Sequence, residues 1–232
     1  MKVAIMAPMR QELAPIVTAF ALTKSTADGP VRYSGTVGTT EVVAATTGIG
    51  TAGARRATEA VLDATAVDHV MVVGIAGGVG PTVRIGALVY PEVVVDKSTG
   101  TEYRPAHLGD PQVRGRLVTS DDFLIEPGAV EQMTAAGVVA LDMETSAVAA
   151  VCESRGCAWS VIRAISDMAT DHPDDAVLAL AKPDGSPNGP AIAKFLLTKP
   201  WRIPQLAKLQ QGAKLAAMNA AQAAATVCQA QP

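Results

Sequence analysis

The sequence predicts an α/β fold: a single domain whose mixed central β-sheet is covered by helices on both faces. Three observations carry that prediction. Short apolar runs alternate with helix-period segments from residue 2 to residue 165. The run 69–75 (HVMVVGI) is nearly continuous in apolar residues, as in a strand buried on both faces. Two β-rich runs, 31–37 and 41–47, flank Gly38-Thr39-Thr40 as a hairpin, which adds an antiparallel pair to an otherwise parallel sheet.

Taken in order, residues 2–6 (KVAIM) are the first buried strand and 10–22 the first helix, with Pro15 either in its first turn or kinking it. After the hairpin, 51–65 reads as a helix, 69–75 as a strand and 88–95 as another strand. Residues 117–119 and 138–141 are short strands on either side of a helix near 129–135. An Ala-rich helix over 143–155 precedes a last buried strand at 159–165. Residues 182–204 (KPDGSPNGP…KPWRIP) read as a long Pro/Gly-rich loop insertion with an apolar patch at 192–197, serving either as a lid or as a surface that packs on a neighbouring subunit. A helix over 205–227 closes the chain, so that 1–232 forms one domain.

Composition excludes several functions. With 49% hydrophobic and 18% charged residues, the chain is too apolar for intrinsic disorder. Nineteen Lys and Arg against 22 Asp and Glu give −3, with no basic run longer than Arg55-Arg56, so there is no footprint for a nucleic-acid backbone. The longest apolar run, 70–80, falls short of the roughly 18 residues that a membrane span needs. The apolar stretch after Lys2 ends at Arg10 without a small-residue cleavage pattern and reads as a strand, not a signal peptide. Cys152, Cys157 and Cys228 are odd in number and lack CxxC spacing, which points to inert thiols in a reducing cytoplasm.

Two glycine clusters sit where strands run into helices or turns. Gly48-Ile-Gly50-Thr-Ala-Gly53 is a literal GxGxxG between a strand and a helix. The ribose-binding acid expected at the end of the next strand is missing, because 69–75 runs directly into Ala76-Gly77-Gly78. A glycine turn bringing backbone amides close to a smaller ligand is therefore favoured over a dinucleotide site. The second cluster, Gly74-Ile-Ala-Gly-Gly78, serves either a ligand or close strand packing.

Three carboxylates also fall at strand-to-helix junctions: Glu12 in the first turn after strand one, Glu144 at the start of a helix, and Asp167 just after the strand that ends at Ile165. Any one of them can be a helix-capping acid. Three converging on one cleft can instead divide acid and base roles in glycosidic cleavage.

Six segments in order resemble one family: KVAIMAPMRQE, TGIG, GIAGGVGPTVRIGALV, VTSDDF, LDMET and VIRAISDMA. Together they resemble the bacterial 5′-methylthioadenosine/S-adenosylhomocysteine nucleosidases, within the purine nucleoside phosphorylase/uridine phosphorylase superfamily, over most of residues 1–171. The resemblance implies a nucleoside phosphorylase-like fold and hydrolysis of the N-glycosidic bond of a purine nucleoside. It also implies a cytoplasmic homodimer, with no metal, no organic cofactor, and neither nucleic acid nor membrane as partner. By position it makes Glu12 the base that activates water, Glu144 the carboxylate that holds the ribose hydroxyls, and Asp167 the acid that protonates purine N7. Arg163 then helps to hold the water and Ser166 supports the Asp167 loop. Phe123 stacks on the purine, the Leu124 backbone reads its edge, and Met9, Ile49 and Met143 line the sugar.

This chain departs from the family pattern at three places. Ile75 stands where the hydrolases carry a hydroxyl residue, residues 95–116 are shortened, and 182–204 is longer. A nucleoside phosphorylase, a hydrolase of another purine nucleoside, and a non-catalytic nucleoside- or dinucleotide-binding domain remain as alternatives. Only an enzyme needs an acid and a base on opposite faces of a sugar.

Overall fold

The structure is a computed structural model that describes residues 1–25, 29–122, 128–169 and 188–231. Strand β1 (Lys2–Ala7) leads into helix α1 (Arg10–Ala19). A short β2 (Thr23–Lys24), β3 (Tyr33–Val37) and β4 (Thr40–Thr46) follow, then α2 (Thr51–Ala64), β5 (His69–Gly78), β6 (Leu88–Val89), β7 (Val93–Asp96) and β8 (Glu102–Tyr103). The chain continues through β9 (Arg116–Thr119), α3 (Ala129–Ala135), β10 (Val138–Asp142), α4 (Thr145–Ser154) and β11 (Ala158–Met168). Helices α5 (Gly189–Thr198) and α6 (Ile203–Gln229) end it, joined by a 3-10 turn at Pro200–Arg202.

Among the described residues these strands make one mixed sheet in the order β2-β3-β4-β1-β5-β10-β9-β7-β8, with β11 and then β6 on the other edge of β5. The pairs β1–β4, β1–β5 and β5–β11 are parallel, whereas the β3–β4 hairpin and β5–β10 are antiparallel. Alternation along β1 decides which helix covers which face. Ala4 and Met6 point into a core shared with Ala54 and Val61 of α2 and Ala147 and Val148 of α4. Val3 and Ile5 point into the opposite core, with Leu13, Ile16 and Phe20 around α1 and Ala216, Ala220 and Ala224 of α6. The small side chains of α6 let it lie close to the sheet: at Gly212 a Cβ would overlap the Ser166 carbonyl oxygen.

Four local expectations need correction. Residues 88–95 are two strands, β6 and β7, because Pro91 between them has no N–H for the ladder. Of the two readings of Pro15, the first-turn one is excluded, because it lies inside α1 beyond that turn. The last strand does not stop at Ile165; it runs to Met168 through an irregularity between Ile165 and Asp167, which puts Asp167 within β11 rather than after it. The segment 188–204 is not a loop. It carries α5, whose start is fixed by the Asn188 side chain accepting the Ala191 amide and by a proline in the first turn. Residues 182–187 lie outside the described residues.

Candidate active site

The cleft opens where β5 changes partners. One of its edges pairs with β1 from Val3↔His69 to Met6↔Val72, and then with β10 at Leu141↔Gly77 and Ala140↔Gly78. β11 follows its other edge throughout. The first edge over residues 73–76 is thus left to side chains, and the Ile75 amide donates to Glu12 Oε1 at 2.8 Å. Glu12 stands in the first turn of α1, and its carboxylate reaches across to β5.

Glu144 behaves in the same way. It occupies the N-cap position of α4 without capping it. One oxygen instead accepts the Gly50 amide at 3.0 Å and the other lies 3.3 Å from Arg163 Nη2. The Gly48–Gly53 turn can therefore be read directly. At the N-terminus of α2 the Gly50 amide is taken by Glu144, and the Thr51 amide and hydroxyl by Asp121 at 2.8 and 2.5 Å. Two of the protein's own carboxylates occupy the helix end that a dinucleotide pyrophosphate would need. Gly50, at φ 91°, adopts a backbone conformation that favours glycine.

Arg163 is the hub. It is fully buried on β11 and donates through Nε and Nη2 to Asp142 Oδ2 at 3.0 and 2.6 Å, and through Nη2 to Thr145 Oγ1 at 3.1 Å. Its Nη1 lies 4.0 Å from Glu12 Oε1. Gly74 makes this meeting possible, because a Cβ there would overlap Glu12 Oε1 and sit 2.7 Å from Arg163 Nη1. Glu12 Oε2 and Arg163 Nη1 are buried without a hydrogen-bond partner, an acceptor and a donor in one cluster.

Three carboxylates thus surround one guanidinium. If all were ionised, the buried cluster would carry a net charge of −2, and its burial resists that. Burial pushes Glu12 up to about 8, although Arg163 and the Ile75 amide oppose the shift. Burial likewise raises Glu144, with Arg163 opposing and Asp142 adding to it.

Above the cluster lies a cleft of about 710 Å³. Met9, Glu12, Ile49, Met143 and Glu144 line one part of it, with Ser166 and Asp167 at the end of β11. The Ser166 hydroxyl donates to Asp167 Oδ1 and stands 3.3 Å from the Ala76 carbonyl. The fold therefore brings together Glu12, Glu144, Asp167, Met9, Ile49, Met143 and Ser166 around one cavity, with Arg163 buried beneath it. Phe123 and Leu124 lie outside the described residues. Sequence reasoning missed Asp142, Thr119 and Asp121, and also missed Lys97 and Gln132, which line the cleft. The LDMET and VTSDDF segments contained the first three, but nothing in either marks which acid turns inward.

With that geometry in hand, the comparisons are specific. The sequence profile of the phosphorylase superfamily matches residues 2–113 and 104–197. A 5′-methylthioadenosine/S-adenosylhomocysteine nucleosidase of Anoxybacillus flavithermus is 30% identical over 200 residues, covering 73% of this chain and 86% of that protein. The same-named nucleosidase of Neisseria meningitidis, solved with methylthio-immucillin-A, superimposes with a TM-score of 0.73 at 19% identity over 99% of both chains. The S-adenosylhomocysteine nucleosidase of Streptococcus pyogenes, solved with 5-methylthiotubericidin, gives 0.74 at 20% identity over 100% of this chain and 98% of that one.

Proposed function

From a chain that belongs to the phosphorylase superfamily, and within it to the 5′-methylthioadenosine/S-adenosylhomocysteine nucleosidases, we propose a purine nucleosidase whose cleft hydrolyses the N-glycosidic bond of such a nucleoside, releasing adenine and the substituted ribose. The observation that carries the reading is that Glu12 Oε2 and Arg163 Nη1, an acceptor and a donor of one buried cluster, both lack a hydrogen-bond partner beneath a cleft that also holds Asp167.

Cleaving an N-ribosyl bond places positive charge on the sugar and negative charge on the departing base. Asp167 delivers a proton to purine N7 as the C1′–N9 bond breaks. Water, held by Arg163 and deprotonated by Glu12, forms the new C1′–O bond. Glu144 accepts hydrogen bonds from the ribose hydroxyls, with its own position held by the Gly50 amide and Arg163. Ser166 orients Asp167. Met9, Ile49 and Met143 cover the sugar, while Phe123 and the Leu124 backbone take the purine.

Water is favoured over phosphate on electrostatic grounds. A phosphate dianion needs an uncommitted cation, and Arg163, the buried cation beneath the cleft, is already engaged by Asp142 and Glu144. The amides at the start of α2 are occupied by carboxylates as well.

The enzyme is proposed to work in the cytoplasm as a homodimer. Its cysteines are free thiols, and burial pushes Cys152 up to about 12 and Cys228 up to about 11, which suits a reducing compartment. No described helix is long and apolar enough to cross a membrane. Exposed Trp201, Ile203, Leu215 and Met218 are large apolar side chains in the C-terminal part of the chain that a second copy would cover.

Incubating the protein with 5′-methylthioadenosine, S-adenosylhomocysteine, adenosine, inosine and guanosine, and quantifying the free base, tests the reading. Adenine release from the first two is expected. Release from none of the five would overturn it.

A further inference from the structure

We propose that Asp142 is a positioning residue for the reaction: by clamping one edge of the Arg163 guanidinium it turns Nη1 toward Glu12, and its charge sets the pH at which the Glu12–Glu144 pair ionises. The inference rests on the reading of Glu12 as the base that must be ionised. It adds a residue whose own carboxylate is committed to Arg163, Thr119 and Thr145.

The geometry is that of a fixed clamp. Arg163 Nε and Nη2 converge on Asp142 Oδ2 at 3.0 and 2.6 Å, which fixes both the plane and the rotation of the guanidinium. Asp142 is itself held from the other side. Thr119 Oγ1 donates to Oδ1 at 2.7 Å, the Glu144 and Thr145 amides approach Oδ1 at 3.4 and 3.3 Å, and the Thr145 hydroxyl donates to Oδ2. Thr119 is anchored in turn by the Ser146 amide at 3.0 Å. Strand β9, the end of β10 and the start of α4 thus converge on one carboxylate whose chief partner is Arg163.

The orientation has one outcome that matters for chemistry. With Nε and Nη2 occupied, Nη1 is the edge left over, and it stands 4.0 Å from Glu12 Oε1 with no hydrogen-bond partner of its own. A guanidinium free to rotate would pair with whichever of Glu12 and Glu144 lay nearer.

The charges around the base come from every element that meets there: Glu12 from α1, Glu144 and Asp142 from the β10–α4 junction, and Arg163 from β11, with Asp167 of β11 further along the cleft. Asp142 adds to the upward shift of Glu144, so removing its charge lets the coupled Glu12–Glu144 pair ionise more readily. The acidic limb of kcat/KM, which reports the free enzyme's base, then moves to lower pH.

The test compares D142N, D142E and T119V with the wild type in pH–rate profiles on 5′-methylthioadenosine. In D142N the limb is expected to fall by about one pH unit and kcat to fall about tenfold or more, with KM within about threefold. D142E keeps the charge and is expected to leave the limb in place. T119V keeps every charge and is expected to lower kcat at an unmoved limb, so it tests the clamp even if D142N does not fold. A limb that stays put in D142N, a limb that shifts equally in D142E, or wild-type kcat in T119V would overturn the proposal. A wild-type protein that releases no adenine would instead overturn the underlying reading of the site.

Discussion

Glu12 reaches from the first turn of α1 to the Ile75 amide at 2.8 Å, closing the one stretch of the β5 edge that neither β1 nor β10 covers. That bond holds the carboxylate beneath the cleft, with its second oxygen buried and without a hydrogen-bond partner.

Glu12→Gln retains an oxygen that can accept the Ile75 amide, so the variant is expected to fold and to bind nucleoside within about tenfold of wild type. Hydrolysis is expected to stop, because an amide cannot take a proton from water. Binding titration alongside a turnover assay checks both halves, and joint loss of binding and folding would show a structural carboxylate instead.

The same residue makes the folded state sensitive to pH. Its pKa is raised by burial from 4.5 to about 8, so the folded protein holds a proton that the unfolded chain releases more easily. Stability is therefore expected to fall as pH rises through that window, with Glu144 acting in the same direction. Melting curves from pH 5 to 8 should show Tm dropping in the wild type and dropping less in Glu12→Gln. A flat wild-type profile would contradict the burial argument.

Asp167→Asn keeps the shape and the contact with Ser166 but cannot deliver a proton to the base. Turnover is expected to fall by about 10²-fold or more on every nucleoside cleaved, the usual scale of general acid catalysis. Steady-state kinetics with near-normal kcat would remove Asp167 from that role.

Gly74→Ala is expected to cost both activity and stability. Its Cβ would fall onto Glu12 Oε1 and within 2.7 Å of Arg163 Nη1, two groups that cannot yield without breaking the cluster. A variant with wild-type kcat and Tm would show that the cluster can relax.

That Glu12 and Glu144 reach one cleft was legible because each lies where a strand gives way to a helix, the edge at which such sheets bind ligands, whereas Asp167, expected just after the last strand, lies within β11 and lines the cleft from there. What could not be read was the direction each carboxylate takes. Glu144 sits where a capping acid sits, yet its carboxylate turns away to Gly50 and Arg163. Asp142 looks like one more acid beside Glu144, and its partners Arg163 and Thr119 lie 21 and 23 residues away. The helix α5 was hidden by the prolines and glycines around it, although Asn188-Gly-Pro190 is itself a start signal, an N-cap followed by proline in the first turn. The alternation Val3, Ile5 against Ala4, Met6 fixed the two faces of the sheet directly, since strand periodicity needs no distant partner.

Water held between Glu12 and Arg163 is proposed to attack the sugar. The most direct measurement follows 5′-methylthioadenosine cleavage in phosphate-free buffer and again with added phosphate, identifying the sugar product by mass. Equal rates are expected in both, with free methylthioribose as the sugar product. Cleavage that requires phosphate and yields methylthioribose 1-phosphate would contradict it.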